Sequence, residues 1–168
     1  MKTALCSICQ LTGVLCSSCE EKLRRNEISQ LDADASIFLG QRTKGIKEFE
    51  KMRFLRAYYI NKHLVLLFQR GDLSKFLKSG KKILGEMTKK FRANAMLVEY
   101  HPSLREFVEG LFFPIPVTAV NMIWLPDGSK ETRIILGRRM GKKKVEIIKK
   151  VIQKVMGVDV KVESLGRR

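Results

Sequence analysis

All four cysteines of this 168-residue chain lie near its start, and their spacing suits metal binding. They are Cys6, Cys9, Cys16 and Cys19, in the pattern C-x2-C-x6-C-x2-C. Each C-x-x-C pair turns two thiolates toward one point, and two such pairs complete a tetrahedral zinc site. Gly13 lies between the pairs and permits the sharp reversal that brings them together. Because all four ligands are thiolates, no position is left for water, and we expect a structural Zn²⁺.

Other uses of these cysteines fit the sequence less well. Disulfides form in oxidising compartments, and the first residues lack the unbroken apolar run of an export signal. A redox C-x-x-C does not need a second pair six residues away. An iron–sulfur cluster uses the same ligands and stays open as an alternative to zinc. A helix is expected to begin near Cys19, with Ser18 as its cap and Glu20 and Glu21 at the positive end of its dipole.

The charge of the chain points to a polyanionic partner. Lys and Arg number 33 against 17 Asp and Glu, which leaves a net charge of +16. Residues 70–92 carry a net charge of +6, from 8 basic and 2 acidic residues. Residues 130–168 carry a net charge of +9, from 13 basic and 4 acidic residues. A solubilising or thermophile surface is the alternative, but such surfaces raise Glu along with Lys, and here the acidic residues lag. Concentrated basic charge is typical of proteins that bind nucleic acid and release its counterions.

Several function classes lack support in the sequence. No stretch approaches the ~20 apolar residues of a membrane span, so we expect a cytoplasmic protein without a membrane partner. His63 and His101 are the only histidines, and neither has a nucleophile or metal partner at a suitable spacing. No paired carboxylates, phosphate loop or nucleophile elbow are present, so we expect neither an enzyme nor a small-molecule substrate.

Apolar periodicity and turn residues predict an α+β protein with an internal repeat. Helices are predicted over residues 29–42, 72–77, 81–91, 103–112 and 142–156, and residues 43–52 are expected to form a second helix or a helical linker. Strands are predicted over residues 54–60, 63–69, 95–100, 117–125, 131–136 and 158–162. The order helix, strand, strand, helix, helix, strand is thus followed by helix, strand, strand, helix, strand, with a hairpin turn at residues 126–129.

Residues 63–112 resemble a KH unit of the prokaryotic type. Their sequence is HLVLLFQRGDLSKFLKSGKKILGEMTKKFRANAMLVEYHPSLREFVEGLF. More closely, it is similar to archaeal NusA-like proteins, which share the apolar strand, the Gly-Asp helix start, the basic helix, "VEY" and "FVxxLF". The four-cysteine head with CEEKLRR also looks like a form seen in archaeal relatives. The resemblance implies a zinc knuckle (residues 1–27), a helical linker (28–52), a first KH-like domain (53–113) and a second, degenerate one (114–168).

A KH unit clamps about four nucleotides with a GxxG loop between two helices, and the resemblance places RNA contacts at two basic segments. Neither segment has the full motif, because Gly80 fills only an inner position and Gly137 and Gly141 are one residue too far apart. The residues expected to contact RNA are Lys75, Lys78, Ser79, Gly80, Lys81, Lys82, Gly137, Arg138, Arg139, Gly141, Lys142, Lys143, Lys144, Arg167 and Arg168.

The aromatic residues of the apolar runs are expected in the core, which leaves few rings to stack on bases. They are Phe54, Phe68, Phe91, Phe107 and Trp124. We therefore expect binding to depend on phosphates and shape. The resemblance implies a transcription elongation or termination factor that contacts nascent RNA and RNA polymerase. A ribosome-associated protein bound to ribosomal RNA, and a protein–protein adaptor built on KH scaffolds, stay open as alternatives.

Overall fold

The computed structural model describes residues 1–128 and 130–165. Over this part of the chain the protein has eight helices and two three-stranded sheets, so the predicted α+β class is confirmed. The chain divides into two compact units, Met1–Tyr100 and His101–Arg168. The finer domain boundaries inferred from the sequence stay a prediction. Among the described residues, no helix combines the length and the apolarity needed to cross a bilayer.

The first unit has six helices and one sheet. The helices are α1 (Ser7–Thr12), α2 (Ser17–Arg24), α3 (Gln30–Thr43), α4 (Lys47–Glu50), α5 (Leu73–Ser79) and α6 (Lys81–Phe91), and the strands are β1 (Phe54–Ile60), β2 (His63–Phe68) and β3 (Asn94–Glu99). The strand order is β1-β2-β3, with β1 antiparallel and β3 parallel to β2. A parallel return needs a crossover connection, and α5 and α6 provide it.

A cluster of phenylalanine rings forms the centre of the first unit's core. Phe49, Phe54, Phe68 and Phe76 are all buried. The ring centroids of Phe68 and Phe76 lie 5.1 Å apart, those of Phe49 and Phe76 lie 5.5 Å apart, and those of Phe54 and Phe68 lie 5.7 Å apart. These edge-on and tilted contacts fix α4 and α5 against one face of the sheet.

The buried carboxylate of Asp32 ties α3 to the first sheet. Ser29 caps α3 and forms a capping box with Asp32, whose Oδ2 accepts a 2.8 Å hydrogen bond from the Ser29 backbone N–H. The Oδ1 atom accepts a 2.6 Å hydrogen bond from the backbone N–H of Ala57 in β1. One side chain thus satisfies a helix-terminal donor and an edge-strand donor.

The second unit repeats the strand pairing with a single crossover helix. Its elements are α7 (Leu104–Phe112), β4 (Val117–Trp124), β5 (Lys130–Leu136), α8 (Lys142–Met156) and β6 (Val160–Ser164). The strand order is β4-β5-β6, antiparallel and then parallel. The predicted repeat of element order is therefore present, and the expected loss of one helix between β5 and α8 is confirmed.

The prediction that Trp124 belongs to the core is wrong. Phe54, Phe68 and Phe107 are buried, whereas 66% of the Trp124 surface is exposed. Trp124 is paired with Lys130, but β6 pairs with β5 only from Thr132 onward. The tip of the hairpin therefore extends past the three-stranded part of the sheet. An apolar run alone does not reveal where the neighbouring strand begins.

Candidate functional site

The two C-x-x-C pairs are positioned by two short helices with the same local design. Cys6 is the N-cap of α1 and Cys16 is the N-cap of α2, both with extended backbones. Cys9 and Cys19 are then the third residues of their helices, so cap and third residue face the same point. Gly13 ends α1 with a left-handed backbone (φ 79°), as its predicted role in the reversal requires. The predicted cap at Ser18 is wrong, because α2 starts two residues earlier.

The four thiol groups converge closely enough to hold one metal ion. All four Sγ atoms lie within 4.8 Å of one another, and those of Cys6 and Cys9 are 3.3 Å apart. A tetrahedral zinc site with Zn–S bonds of about 2.3 Å separates its sulfur atoms by about 3.8 Å, so the observed spacing fits. Cys9 and Cys19 are buried, whereas Cys6 and Cys16 are exposed. We call these four residues the four-cysteine centre.

Backbone hydrogen-bond donors lower the pKa of a thiol and burial raises it, and the four cysteines divide between these two effects. The backbone N–H of Cys9 is the main cause that lowers the pKa of Cys6 to about 7, and that of Cys19 likewise lowers the pKa of Cys16. Burial raises the pKa of Cys9 to about 12 and also raises that of Cys19. A bound metal ion would need all four groups as thiolates, so the pKa shifts favour ligation at Cys6 and Cys16 and oppose it at Cys9 and Cys19.

The four-cysteine centre is built into the first unit and is not a separate appendage. Cys9 and Cys19 belong to a buried apolar cluster with Leu5, Ile28 and Ala33. Ala33 lies on α3, so Cys9 and Cys19 pack against the helix that Asp32 anchors to the sheet.

Close packing of α1 on α3 depends on a glycine. A Cβ atom at Gly40 of α3 would lie 2.7 Å from the Cβ of Gln10 in α1, which is too short for any side chain. The buried amide of Gln10 in turn donates a 2.7 Å hydrogen bond to the carbonyl of Leu5. The N-terminal segment also joins the sheet, since the backbone N–H of Lys2 donates to Met52 at 2.8 Å and that of Phe54 donates to Lys2 at 2.9 Å.

The first basic segment (residues 75–82) spans a helix junction of one residue. Gly80 is both the C-cap of α5 and the N-cap of α6. A Cβ atom there would lie 2.5 Å from a ring carbon of Phe76 and 2.7 Å from its carbonyl oxygen, so only glycine fits. Lys75, Lys78, Lys81 and Lys82 are exposed around the junction, and Ser79 with them. No GxxG loop fits between helices that are one residue apart.

A groove beside this segment contains further basic residues that are not among the RNA contacts expected from the sequence. Ser79 and Lys82 line it together with Arg42, Lys89 and Lys90. The Arg42 guanidinium pairs with Glu86 at 2.7 Å, and the Lys90 ammonium lies 5.2 Å from the centroid of the Phe38 ring. Lys89 and Lys90 belong to the basic region counted above. Arg42 lies on α3, distant in sequence, and no local pattern indicates it.

The second basic segment (residues 137–144) leads from β5 into α8. The backbone N–H of Gly137 donates to Pro116 at 2.9 Å, and a Cβ atom at Gly137 would lie 2.9 Å from Cγ of that proline. Gly141 is the N-cap of α8. The basic residues between and after these glycines are all exposed: Arg138, Arg139, Lys142, Lys143 and Lys144. Within residues 1–128 and 130–165, none of the five forms an ion pair with an acidic group. Arg167 and Arg168 lie outside the described residues.

Comparison with known proteins supports the fold and goes no further. No family model and no curated protein matches this chain. Among solved structures, the crystal structure of APE1850 is similar to it, with a TM-score of 0.54. The two chains are 23% identical, and the match covers 62% of this chain and 80% of the other. Similarity at this identity shows a shared fold and carries no function.

Proposed function

We propose that this cytoplasmic protein binds RNA through its two basic segments, and that it is not an enzyme. The observation that carries the proposal is the second basic segment. It holds five exposed cations within seven residues, and none of them has an acidic partner in the part of the chain that the structure describes. Self-repulsion among such charges costs stability, and a polyanion relieves it by exchanging its counterions for them.

The strand pairing supports a KH-like interpretation of both units. Each sheet has one antiparallel and one parallel pair, with the crossover between the parallel strands at the basic segment. This arrangement agrees with the resemblance of residues 63–112 to a KH unit. The one-residue junction at Gly80 departs from that family, since it lacks the loop whose backbone clamps nucleotides. Phosphate contact in the first unit is therefore assigned to lysine side chains.

The ion proposed for the four-cysteine centre is Zn²⁺ in a structural role. Four thiolates form a closed donor set, and the sulfur atoms are already at the spacing of a single tetrahedral ion. An iron–sulfur cluster places several iron and sulfide ions between its ligands and would hold them farther apart. The bound ion would join α1 to α2 and so hold the N-terminal segment against α3.

The RNA proposed as the target is the nascent transcript, with RNA polymerase as a partner, on the resemblance to NusA-like proteins. Ribosomal RNA is the alternative. The observation that favours it is the missing loop in the first unit, because a surface without a nucleotide clamp is better suited to the shape of a folded RNA than to single-stranded bases.

The proposal is tested by the salt dependence of RNA binding. The variant replaces the five basic residues of the second basic segment with glutamine. If each contacts one phosphate of single-stranded RNA, the slope of log K against log salt flattens by about 3 to 4 units. The measurement is fluorescence anisotropy of a labelled RNA over a series of salt concentrations.

A control of equal charge separates specific contact from net charge. It replaces five exposed lysines of the first unit outside both basic segments, namely Lys2, Lys44, Lys47, Lys51 and Lys62. This control should weaken binding only slightly, because charges away from the RNA act through a screened field. Equal slopes for the two variants would show that the second basic segment is not the contact. Weak binding with little salt dependence in the wild type would favour the adaptor alternative.

A further inference from the structure

The tip of the β4–β5 hairpin presents an exposed aromatic surface. Trp124 is the only tryptophan of the chain, and 66% of its surface is exposed. Met122 lies two residues earlier on the same strand and is 60% exposed. Adjacent exposed apolar side chains of this size are uncommon unless they bind something.

Strand register explains why the Trp124 side chain is uncovered. Directly paired residues of antiparallel strands lie on the same face, and Met122 is paired with Thr132 while Trp124 is paired with Lys130. Thr132 and Ile134 are buried on that face, so it is the face that packs inward along the rest of β5. At the tip, beyond the first residue of β6, the same face is open. The hairpin is closed by a turn in which the backbone N–H of Gly128 donates to Leu125 at 2.9 Å.

A lysine lies against the indole ring. The Lys130 ammonium is 4.3 Å from the ring centroid of Trp124, within the range of a cation–π contact. Glu131 follows Lys130 in the strand and therefore lies on the opposite face of β5, where it pairs with Arg133 and Lys161. This surface thus combines an exposed flat ring with a cation that lies over it.

This pairing of groups fits a nucleotide better than an apolar protein surface. An apolar partner on the ring would bury the Lys130 ammonium without a counter-charge, which is costly. An unpaired nucleotide supplies a base that stacks on the ring and a phosphate for the ammonium. Stacking on an exposed aromatic is available to every base, so it requires no sequence motif.

We propose that Trp124 stacks on an unpaired base of bound RNA, with Lys130 at a neighbouring phosphate. This inference rests on the proposed RNA-binding function and adds to it a contact with single-stranded RNA. It lies outside both basic segments, at the tip of the β4–β5 hairpin.

Because Trp124 is the only tryptophan, its fluorescence reports on this surface alone. The probe is a mixed-sequence single-stranded RNA of about 12 nucleotides, a length within the site sizes of stacking proteins. Binding should quench the tryptophan emission, with the same midpoint as the anisotropy of the labelled RNA. Trp124→Ala should weaken binding by about 5- to 100-fold, the equivalent of one stacked base, and Trp124→Phe should restore part of the loss. The control Tyr59→Ala removes another aromatic side chain that is 54% exposed and should bind as the wild type does.

The outcomes separate this inference from the function on which it rests. RNA binding by anisotropy without quenching, together with full affinity in Trp124→Ala, would overturn the stacking contact and leave the proposed function intact. No binding of single-stranded or folded RNA by the wild type would overturn both. Quenching by single-stranded RNA, but not by a duplex that presents no free base, is the result that the stacking contact predicts.

Discussion

Replacing Asp32 with alanine should destabilise the first unit far more than an ordinary surface substitution does. Asp32 is 1% exposed and accepts hydrogen bonds from two backbone donors on different elements. The substitution removes both acceptors and leaves the N–H of Ala57, on a buried residue of β1, without its partner. Arg56, which lies 3.5 Å from the carboxylate, is about half exposed, so its ion pair contributes little.

The expected magnitude follows from these two contacts. Loss of the reciprocal half of the capping box costs about 1 kcal/mol. A buried N–H left without a partner costs about 1–3 kcal/mol. The sum is about 2–4 kcal/mol, which at a typical urea dependence of about 1–3 kcal/mol per molar lowers the unfolding midpoint by about 0.7–4 M.

Asp34 provides the matched control on the same helix. Its carboxylate accepts an exposed hydrogen bond from Gln30, in the same helix, at 3.0 Å. Asp34→Ala makes the same change of charge and should cost less than about 0.5 kcal/mol. Urea unfolding followed by circular dichroism compares the two variants, and amide hydrogen exchange should show lost protection at Ala57 only in Asp32→Ala. Equal midpoints for the two variants, with Ala57 still protected, would refute this account of how α3 is held.

Two further predictions concern the basic junction and the four-cysteine centre. Gly80→Ala should lower the thermal midpoint by forcing a Cβ atom against the buried Phe76, at a cost of about 1–3 kcal/mol. Gly85 lies within α6 and has open space around it, so Gly85→Ala should increase the free energy of unfolding by up to about 1 kcal/mol and raise the thermal midpoint. A similar loss of stability in both variants would contradict the packing argument. The zinc affinity of the reduced, metal-free protein should fall as the pH falls, because protons compete with the ion for the thiolates. The pKa of Cys6 is about 7, so its thiol is mostly protonated near pH 6 and mostly ionised near pH 8. Zinc binding should therefore release about one more proton near pH 6 than near pH 8. Calorimetry in buffers of different ionisation enthalpy counts those protons, and an equal count at both pH values would show that Cys6 does not titrate in this range.

Local patterns predict most of the secondary structure and the clustering of the four cysteines. The run at residues 63–69 is apolar enough to be buried, and it forms β2. The cysteine spacing reflects two helix starts, each with its cap and third residue as ligands, so the convergence of the thiols is encoded within 19 residues. The glycine and proline positions marked the reversals, including the turn before Gly128.

Features that depend on distant contacts were not predictable in this way. The hydrogen bond between Asp32 and Ala57 joins residues 25 positions apart, and nothing near either residue indicates it. The packing of Gln10 against Gly40 is equally non-local. The apolar run around Trp124 predicts a core position, whereas the exposure of Trp124 depends on where β6 starts to pair with β5. Neither strand contains that information alone.

Crosslinking of the protein to RNA in cells, followed by sequencing of the bound RNA, shows whether the second basic segment binds RNA. The wild type and the glutamine variant of the second basic segment are compared at equal expression. We expect abundant RNA from the wild type, with reads densest near the 3′ ends of nascent transcripts, and much less RNA from the variant. Reads confined to a few positions of ribosomal RNA would establish the ribosomal alternative in its place. Recovery of no RNA from the wild type, or of equal amounts from both proteins, would contradict the claim that these cations bind RNA.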